Sequence, residues 1–542
     1  MDTAKYSKEV AKGSFWTLSG NILFYIVSFL YVIVIARFVP PDELGLYYLA
    51  LSIVSLAAAL DDLGFNGAIV RYVPFFEAKN QAGKIRHLMK LGYVAVIGLA
   101  LLVSSILWLS ADAIGDIYQN AQLSEAIRML VVILVLANIK DVNISFLRGR
   151  KDIRSMQVVK NLMNASKLVL TTSAFYLFGT SVSSLALGLI LSYVITIIAS
   201  FIMSRKSSAN LPEGEEIIEQ DELIHELVPF GLMISVIVYL NTLLISTNSV
   251  ILGFLTSPEE STTLVAIFSV ASKLGMQLVV LPNSIATIFL PIMAYLYGKG
   301  RLDQMRGVAE TTQRWSLFLT VPFGLVMMAF SSDILGALYG NEYRAGAFVM
   351  SMVVVGVIIK SAFLVLSNTL SAMRRVDIQV KIVAVSGTIN FVLNFLLIPQ
   401  FGINGAALSA FFSILAAMVL IVHYARRLVG FSLPPEIFKI GAIAIFTFII
   451  LMLLRPAAPL VLSMFPVIGE GGVAEAAGKA LYVVFIFALA AFSSALFFTF
   501  VLLLKCLRLE DVELMKAALR KARVPDGPVD FFEKIVMRGV SG

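Results

Sequence analysis

Residues 155–177 read SMQVVKNLMNASKLVLTTSAFYL, a mostly apolar run of the length that crosses a bilayer as an α-helix. Within this run, polar side chains recur every three or four residues and therefore share one helix face: Lys160, Asn164, Lys167 and Thr171. A lone ammonium group in hydrocarbon costs at least about 2.5 kcal/mol, so this face cannot lie against lipid. The sequence predicts a bundle of membrane helices around a wet, positively charged cavity.

The composition of the whole chain agrees with a membrane protein. Hydrophobic residues make up 59% of the 542 residues and charged residues 14%, against about 25% charged residues in soluble domains. The net charge of +7 arises mainly from short loops between apolar runs, which indicates membrane topology rather than a nucleic-acid partner. Cys506 is the single cysteine, which excludes an intramolecular disulfide.

Apolar runs of span length predict an all-α membrane protein with about fourteen transmembrane helices. They start near Ser14, Leu44, Leu88, Glu125, Ser155, Val182, Leu227, Thr263, Thr311, Arg344, Ile378, Ile403, Ile437 and Gly478. Every second loop is rich in lysine and arginine, from residues 79–86 to residues 505–508. This alternation predicts a multi-pass protein of the cell membrane with both termini in the cytoplasm.

Three local similarities indicate an internal repeat. Pro74 corresponds to Pro291, Asp152 to Asp377 and Phe178 to Phe401, each pair separated by about 220 residues. Six helices per repeat return the chain to its starting side, so the two lobes are expected to be parallel repeats around a midplane site. The predicted domains are an N-terminal lobe (1–222), a C-terminal lobe (223–430), two additional transmembrane helices (431–505) and a cytoplasmic tail (506–542) with an amphipathic helix over 510–523.

Several short motifs point to one family. Residues 38–47 read FVPPDELGLY, residues 63–65 read LGF, residues 70–72 read VRY, and residues 399–407 read PQFGINGAA. They resemble segments of the polysaccharide-biosynthesis flippases of the Wzx type, whose superfamily also holds the lipid II flippase MurJ and the MATE exporters. The resemblance covers roughly residues 10–430.

This resemblance implies both a fold and a substrate. The fold is a V-shaped pair of six-helix lobes, and the substrate is a polyprenyl-diphosphate-linked oligosaccharide that moves from the cytoplasmic to the outer leaflet. The implied partners are this anionic lipid-linked glycan, membrane lipids and polysaccharide assembly proteins. By similarity to an arginine at the same helix end, Arg71 is a candidate contact for the diphosphate, although it could instead anchor that helix end at the membrane surface.

The candidate substrate-binding residues follow from depth in the membrane. Lys167, Lys273 and Lys360 lie near mid-span without a carboxylate at comparable depth in their own spans, so we expect them to face the cargo. Lys160, Asn164 and Asn21 are added as cavity-lining candidates. The alternative is that such polar groups join helices, since hydrogen bonds between membrane helices contribute about 0.6 kcal/mol each.

A second polar group is predicted nearer the cytoplasmic boundary, where its members could pair with one another or couple transport to an ion: Asp61, Asp62, Lys140 and Asp141. Asp61 and Asp62 lack the further ligands of a metal site, so no metal is predicted. The sequence has no GxxxxGK[ST] loop, and no cofactor is expected.

Two alternatives to a flippase make different demands on the sequence. A MATE-like, ion-coupled exporter of small molecules would need buried carboxylates without a surplus of buried cations. A membrane glycosyltransferase would need acid or base residues on a long outer loop, yet residues 456–477 offer only Glu470 and Glu475. We therefore expect a transporter rather than an enzyme, with the MATE-like exporter as the alternative.

Overall fold

A computed structural model describes residues 3–209, 220–373, 375–431, 434–457, 472–508 and 511 of the chain. The described residues fold almost entirely into α-helices, which confirms the all-α membrane fold. Apart from Asp511, the predicted amphipathic helix over 510–523 lies outside the described residues.

Nine helices cover the described chain up to residue 208. They are α1 (Thr3–Phe38), α2 (Pro41–Ala58), α3 (Phe65–Ala78), α4 (Ala82–Leu109), α5 (Ala111–Ile117), α6 (Ala121–Leu130), α7 (Val132–Gly149), α8 (Ile153–Phe178) and α9 (Val182–Ser208).

Ten further α-helices follow from residue 220 onwards within the described ranges. They are α10 (Gln220–Leu255), α11 (Pro258–Met276), α12 (Val280–Gly298), α13 (Leu302–Ala329), α14 (Ser331–Tyr339), α15 (Ala347–Ala372), α16 (Val376–Phe401), α17 (Ile403–Val429), α18 (Pro435–Leu454) and α19 (Gly472–Leu503).

The expected count of about fourteen spans is not confirmed. Among the described residues, 11 helices are long and apolar enough to cross a membrane, or 12 if α13 and α14, bent by 76°, form one span. The two remaining expected spans correspond to α2 with α3, and to α8. The first is interrupted at residues 59–64, and the second carries the polar stripe around Lys167.

Local sequence signals explain where several helices begin. Asn120 and Asp152 cap α6 and α8, each accepting a hydrogen bond from the backbone N–H three residues later, at 3.2 and 3.1 Å. Gly179, with φ of +80°, ends α8 in a conformation that glycine adopts without strain. The carboxylate of Glu43 then accepts from the N–H of Val182 at 2.9 Å, which ties the start of α2 to the start of α9.

The chain divides into two compact units. Unit 1 comprises Met1–Val270 with Val383–Ser413, and unit 2 comprises Ala271–Ile382 with Ile414–Gly542. The predicted lobe boundaries at residues 222, 430 and 505 stay a prediction.

Close helix packing in unit 1 depends on small residues and paired amides. A Cβ atom at Gly45 would lie 1.6 Å from the carbonyl oxygen of Thr262, so α2 and α11 meet backbone to backbone. Asn394 on α16 donates to Asn248 on α10 at 2.8 Å, and both amides are buried. Such pairing satisfies polar groups that lipid cannot solvate.

The last described residues of unit 2 are held to α13 and α18 by charge. Arg314 donates to both carboxylate oxygens of Asp511, at 3.0 and 3.1 Å, and both side chains are fully buried. Arg508 pairs with Glu436 at 2.9 Å and with Glu310 at 3.2 Å. We call these five residues the tail clamp.

Candidate functional site

The break between α2 and α3 places two carboxylates inside unit 1. Leu63 and Gly64 adopt positive φ values of 43° and 77°, which turn the chain before α3 begins at Phe65. Asp62 then accepts from the N–H of Asn66 at 3.0 Å. Asp61 is 3% exposed, and its Oδ2 has no hydrogen-bond partner among the residues that the structure describes. A single expected span is therefore a broken helix with a carboxylate at the break.

The polar stripe of α7 lies against this break. Ser145 donates to the side-chain oxygen of Asn66 at 3.2 Å, which links α7 to α3. Asn138 is buried and donates to the carbonyl oxygen of Leu134 at 2.9 Å. The hydrogen bond of Ser145 therefore joins the polar stripe of α7 to the start of α3.

Lys140 and Asp141 neutralise each other on α7. The Nζ of Lys140 lies 3.1 Å from Asp141 Oδ1 and 5.1 Å from the centroid of the Tyr193 ring on α9. Because the ammonium group of Lys140 and the carboxylate of Asp141 carry opposite charges, this part of the polar stripe has little net charge.

Lys167 has a different environment. Its Nζ lies 4.2 Å from the ring centroid of Tyr31 on α1, a side chain that is 5% exposed. Within the described ranges, no salt bridge joins Lys167 to a carboxylate. A desolvated cation–π contact stabilises a cation by about 2 kcal/mol, somewhat less than the insertion cost of about 2.5 to 3.5 kcal/mol. An anionic group beside Lys167 would make up this difference.

Asn21 and Asn164 lie at the seam between α1 and α8. Asn164 is buried and donates to the carbonyl oxygen of Phe24 at 3.2 Å, while Asn21 accepts from Gln157 at 3.3 Å. One turn from these contacts, Asn161 donates to the carbonyl oxygen of Gly20 at 3.1 Å. These amides fix the register of α1 on α8, and thereby the position of Tyr31 relative to Lys167.

The other candidate cations lie elsewhere. Lys160 is half-buried on α8, on the same helix face as Lys167. Arg71 is exposed on α3, with its guanidinium carbon 5.4 Å from the centroid of the Tyr72 ring. Lys273 on α11 and Lys360 on α15 are exposed and belong to unit 2. Unit 1 therefore contains Lys167, Lys160, Arg71 and the carboxylates, and unit 2 contains the other two cations.

Sequence reasoning missed the aromatic partners. Tyr31 and Tyr193 cover the two lysines, yet each lies in an apolar run where an aromatic residue is ordinary. Tyr31 lies three-quarters of the way along α1 and Tyr193 near the middle of α9. Only the packing of these helices against α8 and α7 shows that the two rings face lysines. Nor does the described part of the chain assemble any group of three or more potential metal ligands.

Comparison with known proteins places this arrangement in a family. The family model described as "Polysaccharide biosynthesis protein" matches residues 10–296, more than half of the chain. The chain belongs to the polysaccharide biosynthesis protein family. A second model, described as MatE, matches residues 230–396. The family resemblance found in the sequence motifs is thus confirmed.

Individual relatives of this family member are distant. The uncharacterized membrane protein MJ1068 of Methanocaldococcus jannaschii is 23% identical over 449 residues, covering 78% of this chain and 85% of that protein. The probable flippase AglR of Haloferax volcanii is 28% identical over 213 residues, covering 38% of this chain and 44% of that protein.

The solved structure of "Lipid II flippase MurJ, inward closed conformation" shares the fold. It superposes with a TM-score of 0.67 at 11% identity, covering 89% of this chain and 97% of that chain. The polysaccharide biosynthesis family member described here is thus a multi-pass membrane protein with a MurJ-like helical fold.

Proposed function

We propose that this protein is a flippase that carries a polyprenyl-diphosphate-linked oligosaccharide from the cytoplasmic to the outer leaflet by alternating access. Family membership supports a role in polysaccharide biosynthesis, and the name of the relative AglR supports flipping as the activity. The contact of Lys167 with the Tyr31 ring supports an anionic substrate, because it places a cation inside the membrane. A diphosphate headgroup supplies the negative charge that this position lacks.

The direction of transport follows from charge. With the cell interior negative, each negative charge that moves outward gains about 2.3 kcal/mol per 100 mV of membrane potential. A diphosphate that carries about two charges gains twice that amount, so export of the lipid runs downhill in the potential. The proposed cycle therefore uses no nucleotide and no covalent step, and the protein acts as a transporter rather than as an enzyme.

The site and setting complete the proposal. The further cations proposed to contact the diphosphate and the sugars are Arg71, Lys160, Lys273 and Lys360. The protein is proposed to lie in the cell membrane with both termini in the cytoplasm. Basic loops at one end of unit 1 support this orientation. Polysaccharide assembly proteins that consume the flipped glycan are the proposed partners.

Deletion of the gene tests this proposal directly. Mass analysis of the lipid fraction should show a polyprenyl-diphosphate glycan that accumulates on the cytoplasmic side, since synthesis continues while flipping stops. Restoring the wild-type gene should clear it. A deletion strain with normal lipid-linked glycans and normal surface polysaccharide would overturn the flippase assignment.

Two observations favour the alternative of a MATE-like, ion-coupled exporter. The MatE model matches residues 230–396, and Asp61 is a buried carboxylate with an oxygen that has no hydrogen-bond partner in the described part of the chain. An Asp61→Asn variant distinguishes the two functions. An ion-coupled exporter loses sodium- or proton-driven transport, whereas a flippase driven by the charge of its cargo keeps glycan export.

A further inference from the structure

A groove at the basic end of unit 1 is lined by none of the residues assigned to the proposed transport. It is a cavity of about 200 Å³ between α4 and α9, with residues of α7 in its lining. Its polar lining includes Arg86 of α4 and Arg205 of α9, together with Tyr93 and Asn143, whose side chains join in a hydrogen bond of 2.6 Å. Phe146 and Phe201 supply apolar surface. Cationic and apolar groups thus share one small cavity.

The two arginines continue exposed rows of side chains on their helices. On α9, Ile198 and Phe201 are 55% and 45% exposed, and Arg205 follows one turn later on the same face. On α4, Arg86 lies two turns before Val94, which is 67% exposed. The exposed apolar row of α9 therefore leads directly to the groove, as a site for an acyl chain requires.

The ends of the surrounding helices confirm that the groove lies at one basic face. Arg150 donates to the carbonyl oxygen of Ser207 at 3.1 Å and forms an ion pair with Glu77, which joins the ends of α3, α7 and α9. The nearby carboxylate of Asp152 caps α8. Residues 77–90, 148–154 and 205–206 together hold ten lysines and arginines and two carboxylates, so the field at this face is positive.

The small groove suits a compact anionic headgroup. Its volume of about 200 Å³ is below the about 300 to 1,000 Å³ of pockets that enclose drug-sized ligands. The chemistry of the walls agrees, since guanidinium groups bind phosphate through paired, charge-assisted hydrogen bonds.

We propose that this groove binds the phosphate headgroup of an anionic membrane phospholipid, between Arg86 and Arg205, with an acyl chain along Phe201 and Ile198. Basic pockets between membrane helices at the cytoplasmic side are suited to such headgroups. The bound lipid fills the gap between α4 and α9 and is distinct from the transported cargo.

Native mass spectrometry of the full-length protein in detergent tests the proposal. The protein is titrated with phosphatidylglycerol or phosphatidylcholine, and the lipid-bound fractions are compared. Wild-type protein should prefer phosphatidylglycerol, and the Arg86→Gln/Arg205→Gln variant should bind it at least about tenfold more weakly, because two charge-assisted hydrogen-bonding groups are lost. The matched control is Lys151→Gln/Lys206→Gln, which removes two positive charges from the same end but outside the groove.

Three results would overturn the proposal. The first is equal binding of phosphatidylglycerol by wild type and by the arginine variant. The second is an equal loss in the lysine control, which would show a diffuse field rather than a site. The third is displacement of phosphatidylglycerol by an equal concentration of geranylgeranyl diphosphate, which would assign the groove to polyprenyl diphosphates. None of these results depends on whether the protein flips glycans.

Discussion

The ammonium group of Lys167 lies over the ring of Tyr31, with its Nζ 4.2 Å from the ring centroid, so one membrane helix holds the cation of another by an aromatic face. A carboxylate in place of the ring would cancel the charge, as Asp141 does for Lys140. The ring stabilises the cation and leaves its positive field available to a ligand. The pair is therefore suited to attract an anion and release it again.

Two substitutions at Tyr31 distinguish the contribution of the aromatic ring from that of its hydroxyl group. Tyr31→Phe keeps the aromatic face, so glycan export should stay near the wild-type level. Tyr31→Leu removes the aromatic face that positions the ammonium group of Lys167 and should lower the rate of glycan export. Flipping of a fluorescent lipid-linked oligosaccharide in proteoliposomes measures both. Equal activity of the two variants would show that the ring does not position Lys167.

Charge at residue 167 should matter more than size. Lys167→Met keeps the length of the side chain and loses the charge, so surface glycan should disappear while the protein stays abundant in the membrane. Lys167→Arg keeps the charge and should retain part of the export. Immunoblots of membranes control for abundance, and normal glycan display in the Met variant would remove Lys167 from the substrate path.

The exposed Lys360 of unit 2 allows a graded test of cargo charge. Lys360→Gln should reduce export, and Lys360→Glu should reduce it further, because a carboxylate repels the diphosphate. The readout is the amount of lipid-linked glycan that accumulates in the cytoplasmic leaflet. If the two variants accumulate the same amount, Lys360 acts through packing rather than through charge.

Asn164 distinguishes helix packing from substrate contact. Its amide donates to the carbonyl oxygen of Phe24 at 3.2 Å, so Asn164→Leu removes a hydrogen bond between α8 and α1 and should cost about 0.6 kcal/mol of stability. We expect lower thermal stability in detergent with export per folded molecule preserved. As a matched control, Thr172→Val removes a hydroxyl bonded within its own helix and should change stability little.

Sequence patterns predicted the class of fold and its family, because apolar runs and basic loops are local signals. They failed where geometry depends on a turn or on packing. The run Asp61-Asp62-Leu63-Gly64 looked like part of a span, although two carboxylates before a glycine are a break signal. The contact of Lys167 with Tyr31 depends on how α1 is rotated on α8, which amides on both helices determine. No local sequence pattern therefore predicts the contact between Lys167 and Tyr31.

The tail clamp is a further feature beyond the reach of sequence patterns, because Arg314 and Asp511 lie 197 residues apart. Besides Arg314, the indole N–H of Trp315 and the backbone N–H of Arg508 donate to Asp511, at 3.0 and 2.9 Å. Removing one partner of such a buried pair leaves an uncompensated charge and costs about 3 to 5 kcal/mol. The clamp therefore fixes the chain after α19 to α13.

Cys506 reports on this clamp. The thiol is fully buried, two residues before the clamp residue Arg508, and burial raises its pKa, so the unreactive thiol form persists at neutral pH. Asp511→Asn should open this segment and speed alkylation of Cys506 by N-ethylmaleimide in native membranes by about a hundredfold, as a loss of about 3 kcal/mol implies. The acceleration should grow from pH 7 to pH 8.5, since the opened thiol ionises near its ordinary pKa of about 8.5.

The matched control is Asp333→Asn, which breaks the partly exposed pair with Arg455 in the same unit and should change the rate of Cys506 alkylation less than about fivefold. The double variant Arg314→Met/Asp511→Leu replaces both charges with apolar groups and should restore slow alkylation. Alkylation of Asp511→Asn at the wild-type rate would mean that the segment is held without the ion pair.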